Sequence, residues 1–446
     1  MAPRLFGTDG IRGVAGVAPL DPPTVRRIGS ALIKVLEPSG VPPRLLIGRD
    51  TRESGEWIER ELAHGAHLEG ATVETVGVLP TPAIAYLAGR PDVALGAVIS
   101  ASHNPFEDNG IKVFSGAGHK FSEKREREVE RIIGDASWHV AASAAPPVAH
   151  ADLAGAYLAH LGDMLSDPGP LRGAKLVVDC ANGATTSVAP GLFRSLGFDV
   201  TLLGASPDGR NINQGCGSTY PDGMARAVRE TGAVAGVAFD GDGDRAIFAD
   251  ERGRVVDGDA VMLMCARQLK TEGRLRGDTV VATVMSNIGL ELALHDSGIA
   301  LRRTQVGDKY VMEELLRDGF SLGGEQSGHI IFADYLFTGD GLATALGVLR
   351  VMARTGRPLS SLADELVTYP QVLVNVRVRE RRDLAGVASV AATIARVEER
   401  LAGQGRLLVR YSGTEPLLRI MLEGRDRGEI GVWANEIADA VKRELA

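Results

Sequence analysis

The chain has 446 residues, of which 44% are hydrophobic and 24% are charged, a balance typical of a globular protein with sizeable cores. Its 57 acidic residues outnumber its 49 basic residues, and the formal net charge is −8. This charge argues against general binding to nucleic acid or to anionic membranes, because no surplus of basic side chains is present to neutralise phosphate groups. The three widely spaced cysteines and the absence of an apolar leader predict a cytoplasmic protein without a membrane span.

The first predicted domain, residues 1–150, begins with a glycine-rich turn, FGTDGIRG, that carries Arg12. Further along, an apolar strand ends in the loop SASHNP, where Pro105 prevents the strand from continuing. Ser102 is therefore predicted to lie at the carboxyl end of a buried strand, where open α/β sheets bind their ligands. A serine in a turn is common for capping reasons alone, so the interpretation depends on the other loops.

Two residues near Ser102 have alternative interpretations. Lys112 begins the next strand, and a lysine there usually extends to solvent. Close to a phosphorylated serine it would instead serve as a general base, with a pKa that burial lowers. His103 is predicted to contact phosphate or sugar rather than act as a base towards Ser102, because adjacent side chains on an extended chain diverge.

The second predicted domain, residues 151–252, contains the loop DGDGDR after an apolar strand. Three carboxylates at alternate positions, those of Asp240, Asp242 and Asp244, converge in a tight loop on a hard divalent cation such as Mg²⁺. The loop is not an EF-hand, since Arg245 stands where the turn of that motif needs glycine and the flanking segments are strands. Mg²⁺ would need a further oxygen ligand, which a phosphate on Ser102 would supply, and Arg245 would stabilise the phosphate charge.

The third predicted domain, residues 253–367, repeats the pattern of the first two. In each domain a helix ends at a glycine (Gly70, Gly197, Gly298), and the strand that follows ends at another glycine (Gly77, Gly204, Gly307). A later strand in each domain ends in a polar loop, which here is GGEQSGH. Glu325 and Ser327 in this loop suit the recognition of sugar hydroxyls, although a plain turn is an equally good interpretation. The repeat predicts one α/β domain used three times.

The last predicted domain, residues 368–446, differs in pattern, since QVLVNVRVRE alternates apolar and charged residues as a half-exposed antiparallel strand does. It is predicted to be a smaller α+β domain. Its loop RYSGTEP, followed by a further arginine, predicts a phosphate clamp made of Arg410, Ser412, Gly413, Thr414 and Arg419. The loop lacks the GK[ST] ending of a nucleotide-binding P-loop.

Taken together, the segments FGTDGIRG, ISASHNPFEDNGIK, DGDGDR, GGEQSGH and RYSGTEPLLRIMLEG resemble the α-D-phosphohexomutase superfamily, in the same order and along the whole chain. The resemblance implies three similar mixed α/β domains plus a C-terminal α+β domain of the TATA-box-binding-protein type, arranged around a central cleft. Gln326, the FGTDGIRG opening and RYSGTEP are similar to the branch that acts on glucosamine phosphates. That branch interconverts glucosamine 6-phosphate and glucosamine 1-phosphate for UDP-N-acetylglucosamine synthesis.

The resemblance also implies a role for each matching residue. Ser102 would be the phosphoserine and, with the three aspartates, would hold Mg²⁺. Proton transfer and charge stabilisation are implied for Arg12 and Lys112, with Arg245 and His103 beside them, whereas Glu325 and Ser327 would bind the sugar. The loop with Asp308 and Lys309 would help to select the sugar, and the clamp residues would hold the phosphate that is not transferred. A glucosamine or glucose 1,6-bisphosphate would prime Ser102.

Two alternatives remain at this stage. The chain would be a phosphomannomutase or phosphoglucomutase of the same superfamily, since few substitutions separate the branches. From a different class, it would be a non-catalytic protein that binds divalent cations or sugar phosphates. In each case the expected partner is a small sugar phosphate, with neither nucleic acid nor membrane, in a monomer or homodimer.

Overall fold

The computed structural model describes residues 4–7, 9–37, 42–140, 147–401, 403, 405–412 and 416–446. These residues form two compact units, described separately below. One unit comprises Met1–Met285 and Ser297–Glu365, and the other comprises Ser286–Asp296 and Leu366–Ala446. Among the described residues, no helix is both long and apolar enough to cross a membrane.

The amino-terminal domain is a seven-stranded sheet with strand order β1-β2-β6-β5-β3-β4-β7. Its strands are β1 (Phe6–Gly7), β2 (Gly10–Val14), β3 (Arg44–Arg49), β4 (Thr72–Val78), β5 (Leu95–Ile99), β6 (Asp108–Ser115) and β7 (Ala149–His150). Its helices are α1 (Pro22–Lys34), α2 (Gly55–Leu68), α3 (Thr81–Ala88) and α4 (Glu123–Gly134). The strands β3 and β5 are almost wholly buried, as expected for central parallel strands that are covered on both faces.

The next domain is a five-stranded sheet with strand order β12-β11-β10-β8-β9. After helix α5 (Ala154–Leu161), its elements are β8 (Lys175–Asp179), α6 (Ala189–Ser195), β9 (Asp199–Leu203), α7 (Asp222–Thr231), β10 (Ala235–Phe239), β11 (Ala246–Asp250) and β12 (Val255–Val256).

A four-stranded sheet with order β14-β13-β15-β16 forms the third domain. In chain order the elements of this region are α8 (Gly258–Thr271), β13 (Thr279–Thr283), α9 (Ile288–Asp296), β14 (Ala300–Thr304), α10 (Asp308–Asp318), β15 (Leu322–Gly324), β16 (Ile330–Phe332), α11 (Gly341–Thr355) and α12 (Leu359–Ala363). Helix α11 is buried along most of its length, as its nearly continuous apolar sequence predicts. Helix α9 belongs to the second compact unit.

The three sheets share one four-stranded core, which confirms the predicted repeat. The cores have the orders β4-β3-β5-β6, β9-β8-β10-β11 and β14-β13-β15-β16. In each core the first three strands are parallel and the fourth is antiparallel to its neighbour. The polar loops SASHNP, DGDGDR and GGEQSGH all connect the third strand of a core to the fourth. The same position in each repeat therefore carries the candidate chemistry.

The glycines that marked the repeat in the sequence have the backbone that their positions require. Gly70, Gly197 and Gly298 follow a helix with φ values of 83°, 89° and 65°. This left-handed conformation is the usual end of a helix, and glycine adopts it without steric conflict. The repeated glycines in the sequence therefore correspond to repeated left-handed helix ends in the structure.

The second compact unit contains a three-stranded antiparallel sheet with order β17-β19-β18. The strands of this sheet are β17 (Gln371–Arg377), β18 (Gly405–Tyr411) and β19 (Leu417–Gly424), and the helices that follow α9 in this unit are α13 (Ala388–Leu401) and α14 (Arg427–Leu445). Apolar residues of the sheet and of the two helices form one core, which includes Val397, Ile420 and Ile437. This confirms the predicted α+β domain, and strand β17 alternates in exposure as its sequence indicates.

Candidate active site

Ser102 lies in the turn after β5, and its hydroxyl contacts the second domain. The residue is 1% exposed, and its Oγ donates a hydrogen bond to Asp240 Oδ2 at 2.6 Å. Its φ of 52° is left-handed. That conformation costs a residue other than glycine about 1–2 kcal/mol, and such strain is often found at functional sites. The first and second polar loops therefore meet as the sequence predicted.

The aspartate loop after β10 needs both of its glycines to reach this position. A Cβ on Gly241 would lie 2.6 Å from the carbonyl oxygen of Ser102, closer than real Cβ atoms approach. Gly243 has a φ of 73°, and a Cβ there would lie 2.6 Å from Cγ2 of Thr185. The glycines thus allow the loop to pack directly against the Ser102 turn.

Asp240, Asp242 and Asp244 are buried, and one oxygen of each lies within 4.8 Å of the others. Burial, together with the charges of Asp244 and Asp242, raises the pKa of Asp240 well above its usual value. Within the described structure, Oδ1 of Asp242 is buried and accepts no hydrogen bond. A divalent cation would offset the repulsion among the three carboxylates and would be bound by Oδ1 of Asp242. Carboxylate and hydroxyl oxygens are the ligands that Mg²⁺ prefers. The donor set therefore fits Mg²⁺.

Lys112 is 2% exposed, so the prediction that it extends to solvent is wrong. Strand β6 directs its ammonium to three carboxylates: Nζ lies 2.7 Å from Asp242, 2.9 Å from Asp9 and 3.1 Å from Asp244. Burial favours the neutral amine, but these carboxylates outweigh it and raise the pKa of Lys112 well above its usual value. The prediction that burial lowers this pKa is also wrong, and Lys112 is a cation here.

His103 contacts Ser102, contrary to the expectation that the two side chains diverge. Nδ1 of His103 lies 3.3 Å from Oγ of Ser102. The expectation assumed an extended chain, whereas the left-handed backbone of Ser102 turns both side chains to one side. Burial, together with Arg245 and Arg12, lowers the pKa of His103, which favours the neutral ring.

A cavity of about 370 Å³ lies beside these residues and is lined by both acidic and basic side chains. Those predicted from the sequence are Arg12, His103, Asp244, Arg245 and Glu325. Burial favours deprotonation of Arg245, but Asp244 and Asp240 outweigh it and raise its pKa, so the guanidinium remains charged. All three α/β domains contribute to the lining. The cavity therefore joins the three polar loops.

The third polar loop forms a tight turn between β15 and β16. The amide of Glu325 donates to the carbonyl of His329 at 2.9 Å, and Glu325 lines the cavity. Ser327 is exposed and is not among the cavity-lining residues. The side chain of Gln326 donates to Asp257 at 3.1 Å, so it supports the loop instead of facing the cavity.

Lys309, predicted to contact the sugar, is buried in a different contact. It is 6% exposed, and its Nζ donates to Glu126 Oε2 at 2.9 Å. Helix α10, which begins at Asp308, is joined to α4 by this ion pair. The structure thus places the ammonium of Lys309 on Glu126 and not in the lining of the 370 Å³ cavity.

Three further residues of the site, Asp9, Lys120 and His329, were not assigned a role from the sequence. Asp9 accepts from Arg12 at 2.5 Å and from Lys120 at 2.6 Å, and Lys120 also donates to Asp308. His329 lies 3.5 Å from Asp244 and accepts a hydrogen bond from the amide of Gly339 at 3.0 Å. Asp9 and His329 lie in the motifs FGTDGIRG and GGEQSGH, so their position in these motifs could have indicated a role in the site. Lys120 stands in no motif, and only tertiary structure identifies it.

The predicted phosphate clamp lies in the second compact unit. Arg410 of β18 and Arg419 of β19 are directly opposite each other in the antiparallel register. Ser412 is 2% exposed, and its carbonyl accepts from Arg381 at 2.6 Å. Gly413 and Thr414 lie outside the described residues. The strand pairing thus brings two guanidinium-bearing residues together.

Comparison with known families gives matches along nearly the whole chain. The family models for phosphoglucomutase/phosphomannomutase match as alpha/beta/alpha domain I at residues 3–139, domain II at 155–253, domain III at 257–369 and the C-terminal domain at 373–440. These four regions cover the same order of domains that the structure shows.

Several curated relatives are similar over their full length. The phosphoglucosamine mutase of Syntrophotalea carbinolica is 48% identical, with 100% of this chain and 98% of the relative covered. The phosphoglucosamine mutase of Solibacter usitatus is also 48% identical, with 100% of both chains covered.

Solved structures share the fold at lower identity. A phosphoglucomutase/phosphomannomutase family protein from Burkholderia thailandensis has a TM-score of 0.81 at 24% identity, with 99% of this chain and 98% of that chain covered. The N-acetylphosphoglucosamine mutase of Aspergillus fumigatus, solved with GlcNAc-6P and magnesium, has a TM-score of 0.68 at 18% identity, with 98% and 95% covered.

Proposed function

The chain belongs to the phosphoglucosamine mutase family, and we propose that it interconverts glucosamine 6-phosphate and glucosamine 1-phosphate through a phosphate carried on Ser102. The observation that carries the proposal is the 2.6 Å contact between Ser102 Oγ and Asp240, beside a cavity to which three domains contribute. This contact joins a serine that can carry a phosphoryl group to a cluster of carboxylates that can hold a cation.

The proposed reaction consists of two phosphoryl transfers. In the first, the bond from phosphorus to Ser102 Oγ breaks, a bond to the free sugar hydroxyl forms, and the product is a 1,6-bisphosphate. In the second, the other phosphoryl group of the bisphosphate returns to Ser102 and the isomerised sugar phosphate leaves. A glucosamine or glucose 1,6-bisphosphate primes Ser102 by the same second step. Positioning and electrostatic stabilisation supply most of the catalysis in such transfers.

The cation site has a defined set of ligands in this proposal. Asp240, Asp242 and Asp244, with the oxygen on Ser102, would hold Mg²⁺, which when bound withdraws charge from the phosphoryl group. Lys112, Arg12 and Arg245 contribute further positive charge around the transferred group. In the first transfer Lys112, which its carboxylate neighbours keep protonated, is the proposed donor of a proton to Ser102 Oγ, and in the second transfer it takes this proton back from the attacking Ser102 hydroxyl. The proton that the attacking sugar hydroxyl loses in the first transfer is balanced by the one that the leaving sugar oxygen gains in the second.

The sugar is proposed to bind in the 370 Å³ cavity, where Glu325 accepts hydrogen bonds from it. Four carboxylates line this cavity, those of Asp9, Asp244, Asp308 and Glu325. Asp9, Asp244 and Asp308 are paired with Arg12, Lys112 and Lys120 respectively, so Glu325 is the carboxylate proposed to attract an ammonium group at C2 of the sugar. This supports glucosamine phosphate over mannose or glucose phosphate. Arg410, Ser412, Gly413, Thr414 and Arg419 are proposed to hold the phosphate that is not transferred.

An isomerase assay combined with intact-mass measurement tests the proposal. The protein incubated with Mg²⁺ and a 1,6-bisphosphate should gain the mass of one phosphate and convert glucosamine 6-phosphate to glucosamine 1-phosphate. Ser102→Ala should lose both properties, whereas Ser187→Ala, which removes a hydroxyl that donates to the carbonyl of Ala184 in its own short helical turn, should retain both. A fully active Ser102→Ala variant would refute the phosphoserine.

The same assay separates the alternatives. A kcat/KM for mannose or glucose phosphate that exceeds the value for glucosamine phosphate by about tenfold, a difference of about 1.4 kcal/mol, would identify the phosphomannomutase or phosphoglucomutase branch. Binding of Mg²⁺ or of sugar phosphate without any turnover would identify a binding protein.

A further inference from the structure

Both backbone groups of Ser102 are held by buried side chains that have no role in the proposed chemistry. On the amide side, the N–H of Ser102 donates to Ser100 Oγ at 2.9 Å, and this hydroxyl donates to Asp50 Oδ2 at 2.5 Å. On the carbonyl side, the oxygen of Ser102 accepts from Arg52 Nη2 at 2.9 Å. Arg52 in turn donates from Nε to Asp50 at 2.9 Å, which closes a ring of hydrogen bonds around Ser102.

All three guanidinium nitrogens of Arg52 donate hydrogen bonds. It is 1% exposed and is among the largest fully buried side chains of the described structure. Besides Ser102, its guanidinium donates to the carbonyls of Asn104, at 2.9 Å, and Pro105. One planar group thus fixes three carbonyls of a single turn through the fixed fork of donors that a guanidinium carries.

Asn213, in the second domain, holds two of these three carbonyls, those of Ser102 and Asn104. Its Nδ2 lies 3.0 Å from the oxygen of Ser102 and 3.1 Å from the oxygen of Asn104. Asn213 is 6% exposed, and its own φ is 59°, a conformation that asparagine tolerates better than most residues. The aspartate loop packs against the hydrogen bond between Asn213 and Ser102, since a Cβ on Gly241 would lie 2.8 Å from Asn213 Nδ2.

We propose that Arg52 and Asn213 are positioning residues that hold the Ser102 turn in its left-handed conformation, so that Oγ stays aimed at the aspartate cluster. A serine in this conformation would otherwise relax to a more common one, because the left-handed region is unfavourable for residues with a Cβ. The arrangement places one positioning residue in each of the two domains that meet at Ser102. The inference rests on the proposed function, because it concerns how well Ser102 accepts and donates phosphate.

The inference predicts an effect on turnover and not on sugar affinity. Neither Arg52 nor Asn213 lines the cavity in which the sugar is proposed to bind. Displacement of a reacting group by about 1 Å lowers the rate by as much as about 100-fold. Loss of the Asn213 amide should therefore lower kcat and slow phosphorylation of Ser102 by the bisphosphate, with KM for glucosamine 6-phosphate unchanged.

Asn213→Gly is the decisive variant, because glycine accepts the left-handed backbone and removes only the amide. Asn182→Gly is its matched control: Asn182 has a φ of 49°, and its Nδ2 bonds to Asn211 and Cys216 instead of the Ser102 turn. We expect Asn213→Gly to lower kcat about 10- to 100-fold and to slow the mass gain on Ser102 similarly. The control should keep the wild-type rates, and the melting temperatures of the two variants should match.

Arg52→Lys provides a second test, since lysine keeps the charge but cannot reach all the carbonyls. It should show the same loss in kcat, provided that its circular dichroism spectrum remains native. An Asn213→Gly variant with wild-type kcat would overturn the inference, and so would a raised KM with unchanged kcat. A wild-type protein that neither gains phosphate nor turns over would instead refute the proposed function, so the two failures are distinguishable.

Discussion

At the scale of single residues, burial decides what each lysine of the site can do. Lys112 and Lys309 are buried against carboxylates, and the side chain of Lys120, which is 9% exposed, pairs with Asp308. A buried ammonium needs such a partner, because removal from water is otherwise very unfavourable. The pairing of Lys309 with Glu126 therefore raises the question of whether Lys309 acts on the substrate or on the structure.

A double-variant experiment answers this question. Lys309→Met leaves Glu126 buried without its partner, so we expect the free energy of unfolding to fall by about 3 kcal/mol and KM for glucosamine 6-phosphate to rise as α10 loosens. Adding Glu126→Leu removes the unpaired charge and should restore most of the stability and of the KM. Urea unfolding and steady-state kinetics measure both quantities.

The control for this pair lies on the same helix. Arg317→Met removes an exposed guanidinium that pairs with Glu314 and Asp318, and it should change stability by less than about 1 kcal/mol. If KM stays raised in the double variant although stability recovers, Lys309 contacts the substrate directly, as the family resemblance implies.

At the scale of elements, the helix ends depend on side chains that the sequence identifies only in part. Helix α11 begins at Gly341 and is capped by Asp340, whose Oδ1 accepts from the amide of Ala343 at 2.9 Å. Its other oxygen accepts from the hydroxyl of Tyr157 at 2.9 Å, in helix α5. Burial raises the pKa of Asp340 from 3.8 to about 6 in spite of these hydrogen bonds. The cap therefore makes stability depend on pH.

The sign of this dependence follows from proton binding. The folded state holds the proton of Asp340 more tightly than the unfolded state, so the contribution of Asp340 to stability is greatest below about pH 4 and is lost as the pH rises through about 6. Asp340→Asn keeps an oxygen for the cap and does not ionise. Relative to wild type, this variant should therefore gain up to about 3 kcal/mol between pH 4 and pH 7.

Melting temperatures of both proteins at pH 4.5 and pH 7.5 test the prediction. Asp426→Asn is the control, because Asp426 caps α14 through the amide of Glu429 but is exposed. A difference between Asp340→Asn and wild type that stays constant with pH would contradict the raised pKa.

At the scale of the whole molecule, the compact units do not follow the chain order of the domains. Residues Ser286–Asp296, which precede β14 in sequence, belong to the unit that contains the C-terminal sheet. Glu423 of β19, which is fully buried, accepts from the side chain of Asn287 and the amide of Ile288, both at 3.2 Å. Arg406 donates to the same carboxylate at 2.8 Å. The start of α9 is thus attached to the C-terminal sheet.

Hydrogen exchange tests this attachment. Glu423→Gln weakens the bonds to Asn287 and Ile288, so we expect the amides of α9 to exchange about tenfold faster, with little change in the sheet formed by β13 and β15. Glu436→Gln on α14, which removes an exposed ion pair with Arg400 of α13, should leave exchange in α9 unchanged. Unaltered protection of α9 in Glu423→Gln would contradict the grouping.

The sequence by itself determined the repeated α/β architecture and the position of three polar loops in it. It could do so because left-handed glycines, apolar strands and the turn at Pro105 are local features of the backbone. It also singled out Ser102, the aspartate loop and Glu325 as candidate site residues, since their chemistry is concentrated in short segments. The full-length similarity to phosphoglucosamine mutases agrees with this reading.

Only the tertiary structure decided which charges neutralise one another. Lys112 lies 130 residues from Asp242, and Lys309 lies 183 residues from Glu126, so nothing local marks either pair. For the same reason the sequence assigned no role to Lys120, Arg52 or Asn213. The pKa of Lys112 and the contact of His103 with Ser102 were predicted wrongly because both depend on burial and backbone conformation. These are properties of packed neighbours, which the order of residues along the chain does not specify.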